Sequence, residues 1–495
     1  MTAFSLEPGH VTWCEELRTL AAGRLRPLAE KGEPGRVNRP LLAELGALGL
    51  LSRLFTSGAL DLCLMRESLA HSCTEAETAL ALQGLGAHPV HAHGTEAQRA
   101  RWLPRVADGT AVAAFALTEP DAGSDAAALG LRADPDAGAG AGAERDPGRG
   151  SGAGADAGPD PGAAPDLGLD PGPDASPGAR AEPAPGAGAD AHAGTKTPRA
   201  GGPAPVHASD TAPAVLATSP AAPAAPTSPR AATPAPSPAS ATPAVPTAVP
   251  DGPSAWRLTG EKRWISNAPE ADFYTVFART TPGAGARGVT AFLVPADRPG
   301  LTGTPLDMLS PHPVGALALD AVPVTADDVL GVPDRGFRVA MDTLNLFRPS
   351  VGAFAVGMAQ AALDATLAHT ATRDAFGGKL RDLQAVSHQV AEMALRTEAA
   401  RLMVYAAATA YDTGAPDVPK RAAMAKLLAT ETAQYVVDRA VQLHGARALA
   451  RGHLLEHLYR EVRAPRIYEG ASEVQRGIIA KELYRTPRPT EEAGA

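Results

Sequence analysis

The stretch AWRLTGEKRWIS, residues 255–266, decides how the middle of the chain folds. Its Trp, Leu and Ile residues alternate with polar residues and a glycine, a pattern typical of a β-strand. The stretch ALGLRA, residues 128–133, predicts a second strand. We expect these two strands to pair as a hairpin, so the residues between them interrupt one β-domain and do not separate two domains.

The segment from Asp134 to Ser254 contains no Phe, Trp or Tyr and consists mainly of Ala, Pro, Gly, Ser, Thr and Asp. A segment of this composition buries too little apolar surface to offset the entropy lost when its backbone becomes ordered. We therefore predict a long disordered insertion over residues 134–254. A hairpin tip tolerates such an insertion because the entropic cost of closing a loop rises only logarithmically with its length.

The spacing of apolar residues changes twice along the chain. Before residue 112 the spacing is helical, and Thr95 is placed to cap a charged helix. Short β-branched and aromatic runs follow, and helical spacing returns after about residue 330. An apolar stripe typical of a helix bundle consists of Val386, Val390, Met393, Thr397, Ala400 and Val404.

These changes predict an α+β multidomain fold. We expect an N-terminal α-helical domain over residues 1–112 and a middle β-domain, barrel-like or sandwich-like, over residues 113–329 with the insertion inside it. A C-terminal α-helical bundle over residues 330–485 and a flexible tail over residues 486–495 complete the prediction.

Charge and cysteine content exclude several classes of protein. The insertion holds 13 acidic and 6 basic residues, so most of the net charge of −9 lies there, and no basic stripe indicates a nucleic-acid partner. The three cysteines form neither a CxxC pair nor an even-numbered set, as expected for reduced thiols in a cytosol. No signal-peptide pattern or run of about 18 apolar residues occurs. We therefore expect a cytoplasmic protein without a membrane partner.

The stretch RIYEGASEVQRG, residues 466–477, is the most unusual one outside the insertion. Glu469 stands between an aromatic residue and a glycine, directly before a predicted helix. From such a turn a carboxylate can project into a cavity, and an apolar cavity would raise its pKa and make it a stronger base. The alternative, an acid that only complements the dipole at the helix start, fits the pattern equally well.

Two further stretches carry polar groups in turns. FALTEPDAGSD, residues 115–125, places the hydroxyls of Thr118 and Ser124 in a turn that exposes backbone amides. TRDAFGG, residues 372–378, places Arg373 near a helix end. Taken alone, an ordinary turn explains the first stretch as well as a binding site does, and a solvated arginine explains the second stretch better than a binding site does.

KRWISN, residues 262–267, places Trp264 and Ser266 on one face of a strand, where an aromatic surface adjoins a hydroxyl. Taken alone, such a pair is more often part of a core.

Three histidines close together in the sequence could form a metal cluster. No acidic or cysteine partner stands at ligand spacing from them, so we predict partly exposed loop histidines and no metal. These histidines are His88, His91 and His93.

Taken together and in their order along the chain, these four stretches resemble the acyl-CoA dehydrogenase family of flavoproteins. The resemblance covers nearly all of the chain outside the insertion. It implies a helical domain, a β-domain and a C-terminal four-helix bundle, with FAD as cofactor. It also implies an acyl-CoA substrate that is oxidised to the trans-2-enoyl-CoA, electron-transfer flavoprotein as acceptor, and a homo-oligomer, tetramer or dimer, with FAD at a subunit interface.

The resemblance assigns Glu469 as the catalytic base, which removes the α-proton of the thioester while the β-hydrogen leaves as hydride to the flavin. Residues implied to bind FAD within the same subunit are Phe115, Leu117, Thr118, Trp264 and Ser266. Residues implied to reach FAD from a neighbouring subunit are Arg373, Phe376, Gln442 and Gly445. Residues implied on the substrate side are Ser124, Arg348, Tyr468 and Gly470.

This chain departs from the family pattern in a few places. Ala446 and Arg447 stand where many members have a Gly-Gly pair, and Ala471 stands where a threonine is common. Some members place their base around the stretch NLFRPS, but this chain has Phe347 there, which favours Glu469. The alternatives are an acyl-CoA oxidase, a dehydrogenase linked to acyl-carrier protein, and a catalytically idle, flavoprotein-like scaffold.

Overall fold

The computed structural model of the chain describes residues 6–136 and 254–485. These residues form an N-terminal group of helices, a β-sheet and a C-terminal group of helices, which confirms the predicted fold class. The N-terminal helices are α1 (Pro8–Leu20), α2 (Arg26–Ala29), α3 (Arg39–Ala47), α4 (Leu50–Thr56), α5 (Ala59–Ser72), α6 (Thr74–His93) and α7 (Glu96–Ala107). The predicted cap of α7 is confirmed, because the backbone N–H of Gln98 donates to Thr95 Oγ1 over 3.2 Å.

The middle of the chain forms one eight-stranded sheet. Its strand order is β6-β7-β3-β2-β4-β5-β8, and β1 pairs in parallel with β4. The strands are β1 (Ala113–Ala116), β2 (Arg132–Pro135), β3 (Ala255–Ser266), β4 (Phe273–Arg279), β5 (Val289–Pro295), β6 (Leu301–Pro305), β7 (Val314–Thr325) and β8 (Val329–Leu330). Helix α6 covers the sheet closely, since a Cβ on Gly86 would lie 2.5 Å from the nitrogen of Ala114.

The strands on either side of the insertion pair as predicted. β2 and β3 are antiparallel, with Pro135 opposite Trp256. The pairing continues one residue beyond the end of β2, because Asp136 N–H donates to Ala255 O over 2.9 Å. The insertion therefore begins a little later than the predicted residue 134, and its predicted disorder over residues 137–253 lies outside the described residues.

We predict that the sheet forms without the insertion. Replacing residues 137–254 by the dipeptide Asn-Gly keeps the register of β2 and β3, because this dipeptide favours the turn whose twist matches a hairpin. We expect a thermal unfolding midpoint within about 4 °C of the full chain, measured by circular dichroism. Loss of cooperative unfolding in the shortened chain would contradict this prediction.

The C-terminal helices surround one long central helix. They are α8 (Gly336–Thr372), α9 (Gln384–Asp412), α10 (Val418–His444), α11 (Leu454–Glu461) and α12 (Ser472–Arg485), and a short hairpin of β9 (Asp374–Ala375) and β10 (Gly378–Lys379) follows α8. Helix α8 is long and apolar enough to cross a membrane, but 72% of its most apolar window is buried in this fold, as in a core helix. The stripe predicted on α9 is confirmed, with Val386, Met393, Thr397, Ala400 and Val404 buried and Val390 partly buried against the core.

The histidines expected in a loop lie on a helix instead. α6 continues through Pro89 as far as His93. The ring of His88 lies 6.1 Å from the ring of Phe347 on α8, and burial lowers the pKa of His88 to about 3. A Cβ on Gly84 would lie only 2.8 Å from the Phe347 ring. Close packing of α6 on α8 therefore outweighs the tendency of glycine and proline to break a helix.

Candidate active site

Glu469 lies in the turn between α11 and α12, three residues before α12 begins at Ser472. Its backbone is left-handed, with φ 52°, and Gly470 follows with φ 95°. A residue with a side chain rarely adopts this conformation, so other contacts have to hold the turn. Gly470 leaves no room for a side chain, because a Cβ there would lie 2.4 Å from Gln475 Nε2.

Three side chains hold this turn by its carbonyl oxygens. Arg348 Nε, on α8, donates to Glu469 O over 3.3 Å, and Lys426 Nζ, on α10, donates to Gly470 O over 2.7 Å. Gln475 Nε2 donates to both oxygens, over 3.0 and 2.9 Å. Arg348 was expected from the sequence, whereas Lys426 and Gln475 were not. Gln475 stands in the quoted stretch itself, whereas Lys426 is marked only by its position among the small apolar residues of α10.

The carboxylate of Glu469 has an unusual environment. Its Oε2 atom is buried and accepts no hydrogen bond from any residue that the structure describes. Within the same residues no hydrogen bond joins this carboxylate to the first turn of α12. A buried carboxylate oxygen without a partner is unfavourable and tends to mark a functional site. The geometry therefore favours a base over an acid that only caps the helix.

Two opposing effects set the pKa of Glu469. Burial raises it, and this is the largest effect. The positive charges of Arg66, Lys426 and Arg348 lower it, in that order. Burial also raises the pKa of the neighbouring Tyr468 well above its usual range, so its phenol stays neutral. The site thus combines a desolvated carboxylate with nearby cations that oppose its protonation.

The predicted flavin-contacting residues lie where the loop after β1 meets β3. Arg263 N–H donates to Thr118 O over 3.0 Å, which joins the two stretches at this point. Leu117 is buried, and the Phe115 ring packs 4.9 Å from the ring of Phe277. The side chain of Leu117 therefore belongs to the core, and the half-buried ring of Phe115 packs against that core.

A buried ion pair fixes this loop. Lys262 Nζ, which has no exposed surface, donates to Leu117 O over 3.0 Å and to Glu119 Oε1 over 2.7 Å. Glu119 also accepts the backbone N–H groups of Gly130 and Leu131, over 2.6 and 3.0 Å. The pair thus ties together three segments of the β-domain. This ion pair was not expected from the sequence, although Glu119 lies in the stretch FALTEPDAGSD and Lys262 in the stretch KRWISN.

Trp264 lies on a β-bulge. The pairing of β3 with β7 shifts between Lys262 and Ile265, and Trp264 has φ 57°. The simple strand alternation that we used to place Trp264 and Ser266 on one face is therefore wrong at this point. The bulge turns the indole outward, where 45% of Trp264 is exposed, and Arg263 lies 5.5 Å from its ring.

Four of the remaining predicted residues lie on other elements, and the fifth, Ser124, lies further along the loop of Thr118. Arg373 follows α8, and Phe376 lies in the β9–β10 turn, where it is 91% exposed. Gln442 and Gly445 are exposed at the end of α10, and Ser124 is exposed in the loop after β1. Within residues 6–136 and 254–485, no hydrogen bond or ring contact joins these five residues to Glu469 or to Thr118.

Three family models match the chain. "Acyl-CoA dehydrogenase, N-terminal domain" matches residues 8–110, "Acyl-CoA dehydrogenase, middle domain" matches residues 234–322, and "Acyl-CoA dehydrogenase, C-terminal domain" matches residues 334–484. Together they span well over half of the chain in the same order as the helices, sheet and helices described above.

Individual relatives agree with these matches. The chain is 39% identical over 233 residues to probable acyl-CoA dehydrogenase FadE25 of Mycobacterium tuberculosis, covering 46% of this chain and 60% of that protein. It is 41% identical over 245 residues to the bovine mitochondrial short-chain specific acyl-CoA dehydrogenase, covering 49% and 59%. The aligned part is therefore about three fifths of the length of these relatives.

A solved structure shares the fold. Butyryl-CoA dehydrogenase from Megasphaera elsdenii superposes with a TM-score of 0.70 at 24% identity, covering 97% of this chain and all of that one. The resemblance drawn from the four sequence stretches is thereby confirmed. The chain belongs to the acyl-CoA dehydrogenase family, whose members are FAD-binding oxidoreductases.

Proposed function

We propose that the protein catalyses FAD-dependent α,β-dehydrogenation of an acyl-CoA thioester to the trans-2-enoyl-CoA. The observation that carries this proposal is the buried and unpartnered Oε2 atom of Glu469. No hydrogen bond occupies this oxygen, so it is free to take up a proton, and desolvation makes the carboxylate a stronger base. Glu469 would remove the α-proton of the thioester.

The backbone of Glu469 can assist this proton transfer. Its N–H donates no hydrogen bond within the part of the chain described, so it is free to donate to the thioester carbonyl. Such a bond strengthens as negative charge develops on that oxygen and so stabilises the transition state. Arg348 and Gly470 support the step indirectly, because their polar groups hold the turn. We place Tyr468 and Ser124 on the substrate side from the family resemblance.

The residues on the β-domain side fit a flavin. The hydroxyls of Thr118 and Ser266 are half-buried and make no hydrogen bond within the described residues, so both are free for the polar edge of an isoalloxazine ring. The half-exposed indole of Trp264 offers a surface for packing. When bound, FAD supplies the acceptor for the hydride that leaves the β-carbon.

A second copy of the chain would complete the cofactor site. Arg373, Phe376, Gln442 and Gly445 are exposed and lie apart from Thr118, which supports a role toward the FAD of a neighbouring subunit. We therefore propose a homo-oligomer, a tetramer or a dimer. We also propose a cytoplasmic location and electron-transfer flavoprotein as acceptor. We propose a short acyl group as well, because the bovine relative is named short-chain specific.

The proposal is tested by mixing the purified protein with acyl-CoA thioesters of increasing chain length without oxygen. We expect a short acyl-CoA to reduce the bound flavin. Reoxidation of that flavin by dioxygen alone would favour an oxidase, and reduction only by an acyl-carrier-protein thioester would favour that carrier. Purification without flavin would favour an idle scaffold and contradict the proposal.

The rate of this flavin reduction should depend on pH in a defined direction. Glu469 acts as a base only when ionised, so the rate rises as pH rises through its pKa. Because burial raises that pKa, the acid limb should lie above about 4.3, the usual value for glutamate. Stopped-flow measurements across pH would show it, and an acid limb at or below that value would contradict the assignment.

A further inference from the structure

A histidine–glutamate pair joins the β-domain to the C-terminal helices. His312 lies in the loop between β6 and β7, and Glu461 is the last residue of α11. His312 Nε2 donates to Glu461 Oε2 over 2.5 Å, and the side chains are 18% and 1% exposed. In the same loop, Ser310 Oγ donates to Arg460 O over 3.2 Å. Neither contact has a role in the function proposed above.

The loop that carries His312 is fixed to the proposed flavin side of the site. Val314, where β7 begins, pairs with Ser266 at the end of β3. The residue after Ser266, Asn267, donates its backbone N–H to Pro313 O over 2.7 Å. The loop is therefore bonded, within two residues of His312, to the end of the strand that presents the Ser266 hydroxyl.

Glu461 lies close along the chain to the proposed base. Seven residues separate Glu461 from Glu469, and a short helical turn, Ala464–Arg466, lies among them. The backbone N–H groups of Ile467 and Tyr468 both donate to the first carbonyl of this turn, over 2.8 and 3.2 Å. The segment is thus compact, so the contact that holds the end of α11 also bears on where the turn of Glu469 lies.

The pair is charged and has further titratable groups around it. Burial alone would lower the pKa of His312, but nearby carboxylates, that of Glu461 first, outweigh burial and raise this pKa above 6.5. Burial likewise raises the pKa of Glu461, but His312 outweighs it and lowers this pKa below 4.5. Both partners are therefore ionised between these two pH values. Other charged and titratable groups that face the pair, or line the cavity beside it, are Glu75 and Glu77 on α6, His457 and Arg460 on α11, and Glu33 and Arg36 between α2 and α3.

We propose that His312 is a positioning residue, whose charged contact with Glu461 holds the turn of Glu469 in place against the flavin-side end of β3. The inference rests on the function proposed above. A small displacement of a base from the proton that it removes is costly in rate. When His312 loses its proton, the carboxylate of Glu461 is left buried without its cation, which weakens the attachment of α11 to the loop. The contact therefore makes proton removal by Glu469 dependent on pH.

An uncharged variant tests this dependence. In the wild type, flavin reduction by butyryl-CoA should slow as pH rises through the pKa of His312, which lies above 6.5. His312→Gln keeps a hydrogen-bond donor but no charge, so we expect a limiting rate roughly 10-fold lower at pH 6.5 and no such alkaline limb. The half-saturating concentration of butyryl-CoA should stay the same. A limb that persists in His312→Gln would overturn the inference and point to Lys426, whose pKa burial lowers to about 8.

A second variant keeps the charge at every pH. A cavity of about 120 Å³ is lined by His312, Glu461, Thr74 and Thr78 among others, and it leaves room for the longer side chain of His312→Arg. An arginine stays protonated throughout this pH range. We therefore expect the wild-type rate at pH 6.5 and no alkaline limb. A folded His312→Arg variant as slow as His312→Gln would overturn the inference, because the charge would then have no effect on the rate.

Hydrogen–deuterium exchange tests the positioning without any reaction. The backbone amides of residues 462–470 should exchange faster in His312→Gln than in the wild type at pH 6.5, because the turn opens more often when its attachment is weak. The wild type should approach the exchange of His312→Gln as pH rises, after correction for the intrinsic exchange rate at each pH. Equal exchange in the two proteins at pH 6.5 would overturn the inference.

His71→Gln provides the matched control. His71 Nε2, on α5, lies 2.9 Å from Asp364 Oδ2 on α8, so this change also removes a histidine–carboxylate contact between two elements. It should leave the alkaline limb and the exchange of residues 462–470 unchanged, and an effect equal to that of His312→Gln would overturn the inference. If no acyl-CoA reduces the wild-type flavin, the proposed function fails, and the exchange measurement still decides the role of His312.

Discussion

Glu469→Gln is expected to slow flavin reduction by an acyl-CoA by about 10³- to 10⁴-fold, because an amide cannot take up the α-proton. The turn should survive the change, since Arg348, Lys426 and Gln475 hold it by backbone carbonyls and not by the carboxylate. The variant should therefore purify folded and yellow. Anaerobic stopped-flow measurement of flavin absorbance gives the rate directly.

Glu473→Gln provides the matched control. Glu473 lies in the first turn of α12, four residues after Glu469, and its side chain is 82% exposed. The same chemical change there should leave the rate of flavin reduction unchanged. Full activity in Glu469→Gln would refute the assignment of the base, and equal losses in both variants would attribute the effect to the stability of α12.

Among the variants described, Lys262→Met should lower the free energy of unfolding most. It leaves the carboxylate of Glu119 buried without its cation, and removal of one partner from a buried ion pair typically lowers the free energy of unfolding by about 3–5 kcal/mol. It also frees Leu117 O, so the loop that presents Thr118 loses its anchor. We expect a lower midpoint in denaturant unfolding and less flavin per chain, measured by absorbance.

Two further variants separate this effect from the loss of any lysine. Lys379 pairs with Asp374 on the surface, where the side chains are 38% and 77% exposed, and Lys379→Met should change the free energy of unfolding by less than about 1 kcal/mol. Lys262→Met/Glu119→Gln should recover part of the lost stability, because the buried charge is then gone. A Lys262→Met variant as stable as the wild type would refute the role of the ion pair.

Parts of the fold followed directly from local sequence patterns. The Thr95 cap and the stripe on α9 each depend on residues close together in the chain, and β2 and β3 could each be recognised from the residues within the strand; the structure confirms all of them. The helical course of α6 through Pro89 did not follow, because it depends on packing against Phe347. The bulge at Trp264 depends on register with β7, which lies far along the chain.

The residues of the candidate site also differ in whether the sequence alone could point to them. Glu469 could be singled out because its sequence neighbours, an aromatic residue and a glycine, form the turn that carries it, while its role as the base was implied by the family resemblance and stays a prediction. The groups that set its charge could not, because Arg66 and Lys426 come from α5 and α10, which are distant in sequence. A single buried cation leaves no periodic pattern. Only the three-dimensional packing brings it next to the carboxylate.

The hydrogen bond between Asp136 and Ala255 bears on how this fold can vary among related chains. It completes the pairing of β2 with β3 before the connecting residues begin, so this pairing does not depend on how many connecting residues there are. For a flexible connection, each doubling of length costs only about 0.6 kcal/mol in closure entropy. Related proteins can therefore differ greatly in length at this one point while keeping the same strand register.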